Sequence, residues 1–427
     1  MPSTSFVIEE ASKAWMPGTR PGMTGGDART AKKAVDARHK AGHDDSTSPH
    51  SALMSRLTAL ARHRGLCVVS LALAVDQKGI LPDHMIATLV RDGAILTGCE
   101  LAADQIQPAS LDLRLGDVAY RVRASFLPGP DTTVAERIDE LTLHEIALTG
   151  GAVLETGCVY IVPLIESLAL PGDIAAAANP KSSTGRVDVF TRVIADETRG
   201  FDHISAGYHG PLYAEISPRT FPVLVREGSR LSQIRFRRGD ALLDAQALRA
   251  LHAQERLVDD DKADVSEGIA VGVDLSGLGP GGMVGYRAKR HTGLIDVERR
   301  AGYEVGDFWE PMRSRKEQSL ILDPGEFYIL ASKEAVQVPP DYAAEMVPFD
   351  PLVGEFRVHY AGFFDPGFGY AGAGGRGARG ARGALARSAV HPRARADRGP
   401  SRLREDAGAP AFALRRAHRL ELPGAGL

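Results

Sequence analysis

Glu155 to Pro180, "ETGCVYIVPLIESLALPGDIAAAANP", aligns without a gap on Asp323 to Pro348, "DPGEFYILASKEAVQVPPDYAAEMVP", with nine of 26 positions identical at a spacing of 168 residues. So long a period lies far outside the solenoid repeats and marks a duplicated domain. Earlier pieces echo as well: "SLDLRLGDVAYRVR" from Ser110 is answered by "GVDLSGLGPGGMVGYRAKR" from Gly272. Most signals in and around the repeat are strand signals. "AVLETGCVYIVPL", "GPLYAEI", "FPVLV" and "RLSQIRF" are short apolar runs bounded by Gly, Pro or Asp. "ILPDHMIATLVRDGAI" is an exception, with apolar residues at helical spacing and Asp83 close to its start. The chain is therefore expected to be mainly β, with one module over 78–240, a second over 266–375, and a helix-period linker, "ALLDAQALRALHAQERLVDD", within 241–265.

The two ends break this pattern. Residues 1–77 begin with a polar, Gly-rich stretch that has no hydrophobic period, and are expected to be a disordered extension. Within them "MSRLTALARHRGLCVVSLALAV", from Met54, joins a basic start to an apolar run too short to span a bilayer. Such a run resembles a signal peptide only if translation began at Met54. From Arg376 to Leu427 there are twelve arginines but no Lys, Ile, Thr, Asn, Gln or Tyr. A solvated basic tail is one account of this composition. A change of reading frame is the account preferred here, because codons able to encode Gly380 to Arg387 can spell the β-patterned "VLEVRS" in another frame. On that account the second module is cut short after about residue 375.

Composition excludes several functions. The 427 residues are 44% hydrophobic and carry a formal charge of -3, which gives no footprint for nucleic acid or a membrane surface. Cys67, Cys99 and Cys158 lie far apart without CxxC spacing, so neither a disulfide framework nor a zinc knuckle is signalled, and a reducing cytoplasm is expected. His144, His203, His209 and His359 are scattered without ligand spacing and read as surface or hydrogen-bonded residues.

Chemistry concentrates in three places. "PKSSTGR", Pro180 to Arg186, offers a point charge at Lys181, a planar fork at Arg186 and the short donors Ser182, Ser183 and Thr184, a mixture suited to phosphate and sugar oxygens. It lacks the order of a P-loop, and an exposed hydrophilic turn would also account for it. In "AGYHGPLYAEISPRTFPVL", Gly207, Gly210 and Pro211 mark a turn into a strand that carries Glu215 among apolar neighbours. A carboxylate there is either an edge residue facing water or a functional acid. "REGSRLSQIRF" adds a Gly228–Ser229 turn before a further strand.

Taken in order, "IQPASLDLRLG" (Ile106 to Gly116), "PKSSTGR", "GYHGPLYAE" (Gly207 to Glu215) and "EGSRLSQIRF" (Glu227 to Phe236) resemble the dCTP deaminases, which share a trimeric β fold with the dUTPases. The double length resembles the two-module bacterial form, and the likeness spans roughly 79–375. The resemblance implies two tandem dUTPase-like β-barrel or β-clip modules, hydrolysis of dCTP to dUTP and ammonia, and a homo-oligomer. It implies no nucleic-acid or membrane partner.

Carried over by position, Glu215 is the catalytic glutamate, Arg186 and Ser182 belong to the active site, and Lys181 is a phosphate contact. Ser183, Asp112, Gly207 and Tyr208 join the substrate site, Asp112 in a partly structural role. Ser205 stands where relatives carry aspartate. Mg²⁺ is expected to arrive on the triphosphate. Zinc is not expected, since the H-x-E plus PCxxC signature of zinc deaminases is missing from the sequence. A dUTPase or bifunctional enzyme, and an inactive nucleotide-binding remnant, are the alternatives.

The second module's counterpart of the donor loop, "PFDPLVG" (Pro348 to Gly354), has no Lys, Ser or Arg, yet "FRVHYAGFFDPGFGYAG" after it stays close to the family. Family sites form between adjacent modules, so the acid falls either on Glu215 or on a glutamate that the second module lost with its reading frame. Glu215 is favoured because it shares a module with the intact donor loop.

Overall fold

The computed structural model describes residues 78–265, 268–277, 281–315, 319–347, 356–359, 362–370, 388–392, 401–404 and 411–416. The expected extension over 1–77, the "PFDPLVG" loop and most of the Arg-rich tail lie outside the described residues.

Module 1 is built from antiparallel sheets laid over one core. In the first, Ile174–Pro180 lies between His203–Ile204 and Ser232–Arg238, and Ser232–Arg238 also pairs with Ser110–Leu113 and with Gly79–Ile80. In the second, the long strand Val159–Ala169 is central, flanked by His209–Pro218 and Val118–Val122. Pro163 sits in that central strand and cannot donate to its neighbour. The ladder answers with a register shift between Pro211 and Tyr213, which face Ser167 and Pro163. On the other side of Pro163, a Cβ on residue 116 would meet the Pro163 carbonyl oxygen at 2.8 Å, so that close approach requires Gly116.

Two helices complete the module. Asp83–Arg91 forms as the apolar spacing predicts, burying Met85, Ile86 and Leu89. Val134–Leu141, which the sequence reading missed, starts at a capping box in which Thr133 and Glu136 bond reciprocally. Its Val134 and Ile138 pack with Val122, Ile161, Ile194 and Tyr213, covering the outer face of the second sheet.

Module 2 repeats the pairing scheme. Tyr342–Val347, one period after Ile174–Pro180, lies between Phe363–Phe364 and Ala411–Arg416. Tyr328–Leu330 lies between Met283–Ala288 and Ser388–Pro392, as Val159–Ala169 lies between Val118–Val122 and His209–Pro218. Ser319–Leu322 pairs with Ser401–Arg404 as Ala152–Leu154 pairs with Val223–Val225. Three strands beyond the expected boundary at 375 thus take up the pairings that His209–Pro218, Val223–Val225 and Ser232–Arg238 make in module 1.

The modules are less separate than the sequence suggests. The linker helix Ala245–Glu255, capped by Asp244, packs Leu248 and Leu251 into the module 2 core beside Val258 and Val336. Ile295–Asp296 of module 2 pairs in parallel with Val223–Val225 of module 1. Phe308, Trp309 and Phe327 pack around Phe221 and so join the module 1 core.

Candidate active site

The donor loop begins where Ile174–Pro180 ends. Lys181 N–H bonds the Leu231 carbonyl at 2.9 Å, and Ser182–Gly185 then makes one helical turn. Thr184 points inward, its hydroxyl donating to the Leu231 carbonyl at 2.8 Å, so this member of the hydroxyl trio anchors the loop. Ser182 and Ser183 remain exposed. The Arg186 guanidinium reaches back to the Ser182 hydroxyl at 3.2 Å and the Ser182 carbonyl at 3.1 Å, which draws together two of the residues expected at the site.

Lys181 pairs with Asp112, which is 1% exposed. Burial pushes the Asp112 carboxyl above its ordinary range, while Lys181 and Arg230 pull it down. Arg230 lies 3.5 Å from the same Asp112 oxygen and grips Asp104 with both terminal nitrogens, at 2.9 and 3.0 Å. The second Asp112 oxygen is buried without a hydrogen-bond partner.

Behind Asp112 lies a buried scaffold. Glu166 accepts from Gln105 Nε2 at 2.7 Å, the Arg114 backbone at 2.8 Å and Arg114 Nε at 2.7 Å. Gln105 in turn bonds the Asp112 backbone in both directions. The charged end of the loop is thereby tied to a network that excludes water, where each bond counts for more.

Glu215 follows the register shift on His209–Pro218, opposite Ile161 and Arg192. Ala214 and Ile216 enter the core, so Glu215 faces the side that Val134–Leu141 covers. Its 1% exposure rules out an edge residue facing water. Arg192 meets Glu215 Oε1 through Nη2 at 2.6 Å and Nε at 3.2 Å, stacks against Phe201 at 3.4 Å, and touches the Ser125 hydroxyl at 3.1 Å. Glu215 Oε2 is buried and has no hydrogen-bond partner. Asp202 lies close by in the left-handed region (φ 60°), bonding Val193 N–H at 2.7 Å. Burial pushes its carboxyl up to about 7, with Arg192 opposing and Glu215 reinforcing the shift.

Gly207 takes a positive φ of 72° in the turn before the glutamate strand. Tyr208 donates to the Pro211 carbonyl at 2.7 Å and accepts from Asp196 N–H at 3.1 Å, and burial pushes its hydroxyl up to about 12. Ser205 is exposed. Module 2 places Asp365 at the corresponding position, since Phe364 faces Ala344 as Ile204 faces Ala176. Asp365 lies near enough to Asp112 and Lys181 for their charges to act on it. The site thus separates into a cationic loop paired with Asp112, and a buried Glu215–Arg192 pair three rungs along the strand from the Val189–Pro218 pairing.

Sequence reasoning missed Arg192, Asp202 and Arg230. Only the alternation of "FTRVI" offered a hint, placing Arg192 on the same face as Phe190 and Ile194. Among the described residues, no group of three or more His, Cys, Asp or Glu is arranged to hold a metal, and no helix is long and apolar enough to cross a membrane.

Small antiparallel sheets repeated in tandem, with a donor-rich loop beside an acid-bearing strand, define a duplicated β-clip protein. The family model for the N-terminal domain of 2'-deoxycytidine 5'-triphosphate deaminase matches residues 77–240, and that for the C-terminal domain matches 244–389. The chain is similar to the crystal structure of 2'-deoxycytidine 5'-triphosphate deaminase from Agrobacterium tumefaciens, with 56% identity and a TM-score of 0.74 over 80% of this chain and 99% of that one. It is 29% identical over 158 residues to a dUMP-forming dCTP deaminase of Coprothermobacter proteolyticus, covering 37% of this chain and 81% of the relative. It is 31% identical over 137 residues to a dCTP deaminase of Haloarcula marismortui, covering 31% and 66%. The chain belongs to the dCTP deaminase family.

Proposed function

We propose that this protein hydrolyses dCTP to dUTP and ammonia, with Glu215 as the carboxylate that activates water. The observation that carries this reading is the split environment of Glu215: Oε1 is held by Arg192, and Oε2 is buried with nothing to accept from. Attack at C4 of cytosine requires water to lose a proton while the ring nitrogen gains one, after which the amine leaves as ammonia. A single fixed carboxylate with one free oxygen suits both transfers, and a positioned base supplies about 10²- to 10⁴-fold. Orientation and hydrogen bonds to the developing intermediate must supply the rest, the role assigned to Arg186 and Ser182. Lys181 and Ser183 hold the triphosphate, while Asp112, Gly207 and Tyr208 shape the surroundings. The Lys181, Arg186 and Arg230 charges suit an anion, so Mg²⁺ belongs on the phosphates rather than in a protein cage. The working form is a homo-oligomer in the cytoplasm.

A second reading is favoured by Asp365, whose charge environment includes Lys181 and Asp112. In it, the donor loop of module 1 is completed by module 2, and the acid comes from the strand that corresponds to His209–Pro218. Glu215→Gln separates the two when ammonia release and dCTP binding are both measured. Loss of turnover with binding retained supports Glu215, whereas wild-type turnover moves the base to module 2. Pyrophosphate among the products would show that the reaction continues past dUTP.

A further inference from the structure

Arg235 stands in the middle of Ser232–Arg238, between Ile234 and Phe236, which both enter the module 1 core. Alternation turns its side chain to the opposite face, where a strand of an isolated module would meet water. Instead Arg235 is 2% exposed, because module 2 covers it. Its Nε donates to the Ala109 carbonyl at 3.2 Å within module 1. The other nitrogens cross to module 2: Nη1 to the Ala344 carbonyl at 2.9 Å, and Nη2 to the Phe364 carbonyl at 3.4 Å and Asp365 Oδ1 at 3.2 Å. The guanidinium also stacks on the Phe363 ring at 4.1 Å. One side chain therefore grips two neighbouring strands of module 2 and the first residue of the turn that follows them. That turn closes through Phe368 N–H to the Asp365 carbonyl at 3.1 Å, with Gly367 at a φ of 82°.

We infer that Arg235 is a positioning residue that fixes the Asp365 turn of module 2 against the Lys181 end of the donor loop. The inference rests on assigning that loop to the nucleotide, as above. Asp112 is buried, whereas the Asp365 side chain keeps 36% of its surface in contact with solvent, and the two carboxylates oppose each other in charge. Held close without a cation between them, they would separate. Arg235 joins Lys181 in balancing them, and its planar fork adds a fixed direction that a lysine ammonium lacks. Nucleotide bound at the loop then meets a turn already in place, so the ordering cost is met during folding rather than on binding.

The test is amide exchange on the full chain, with and without dCTP, alongside steady-state deamination. In the wild type, dCTP is expected to protect both 181–186 and 362–370. Arg235→Lys should keep protection over 181–186, lose it over 362–370, and raise KM about tenfold with kcat within about twofold. Asp365→Asn, which keeps the shape of the turn, should do the same, and the double variant should do no more than either. Unchanged protection of 362–370 in Arg235→Lys overturns the inference. So does a loss spread evenly over both modules, which would mark a purely structural role. A wild type that shows dCTP protection of both segments yet releases no ammonia would sink the deamination reading and leave the placement of the turn intact.

Discussion

Asp112 of module 1 and Asp274 of module 2 occupy the same place in the repeated "LDL" and "VDL" motifs, yet they do different work. Asp112 is buried and pairs with Lys181 across 69 positions of sequence. Asp274 instead accepts from Ser276 N–H at 2.9 Å and Gly277 N–H at 3.3 Å, forming a local turn. Glu166 and Glu334, one period apart, differ in the same way. Glu166 anchors Arg114 inside module 1, whereas Glu334 accepts from the Gly272 backbone and position 276 has a serine in place of Arg114. By contrast the Tyr160 hydroxyl accepts from Glu155 N–H at 3.0 Å and the Tyr328 hydroxyl from Asp323 N–H at 2.9 Å, the same contact twice. At these positions duplication has preserved the tyrosine-to-backbone contact in both halves, while the Asp112–Lys181 and Glu166–Arg114 pairs of module 1 have no ionic counterpart at Asp274 and Glu334 among the described residues.

The largest test of that contrast is Glu215→Gln, which should cut ammonia release by about 10²- to 10⁴-fold while calorimetry still finds dCTP binding. Next is Glu166→Ala, which strands Arg114 in the interior and should cost about 3–5 kcal/mol in denaturant unfolding. Glu334→Ala should cost about 1 kcal/mol, because only backbone contacts are lost. Equal losses at the two positions would break the comparison. A smaller effect is expected from Asp112→Asn, which frees Lys181 from its partner and should change KM for dCTP about tenfold, while Asp274→Asn leaves KM unchanged.

The smallest concerns pH. The Asp202 carboxyl titrates at about 7 in the folded protein against an ordinary value of 3.8. Between those values the folded state keeps a proton that the unfolded chain has released, so this group destabilises the fold progressively as pH rises and fully above about 7. Asp202→Asn retains an acceptor for Val193 and should melt about 2–4 °C higher than wild type at about pH 8, with the gain shrinking toward about pH 5.

Much of the fold was legible because its strands are short apolar runs between turn formers. "RLSQIRF" and "GPLYAEI" fall within or beside Ser232–Arg238 and His209–Pro218, and the donor loop follows a strand as its position suggested. The helix that withdraws Glu215 from water is announced only by its capping box, Thr133 with Glu136 three positions on, since its eight residues are too short to show a clear apolar period. Arg192 and Arg235 were illegible for a different reason. Each reads as an ordinary polar position in an alternating strand, and its hydrogen-bond partners lie 23 to 130 positions away. The Ile295–Asp296 pairing carries no local signal at all.

That parallel pairing sets a schedule for synthesis. Val223–Val225 has Ala152–Leu154 on one side as soon as module 1 leaves the ribosome, but its other side waits for Ile295–Asp296. The intervening chain is about seventy residues, which at about 5–20 residues per second leaves the nascent edge open for about 4–14 s. During that interval a bare strand edge beside the exposed rim of Phe221 is the point where a chaperone or a neighbouring nascent chain has most to gain by docking.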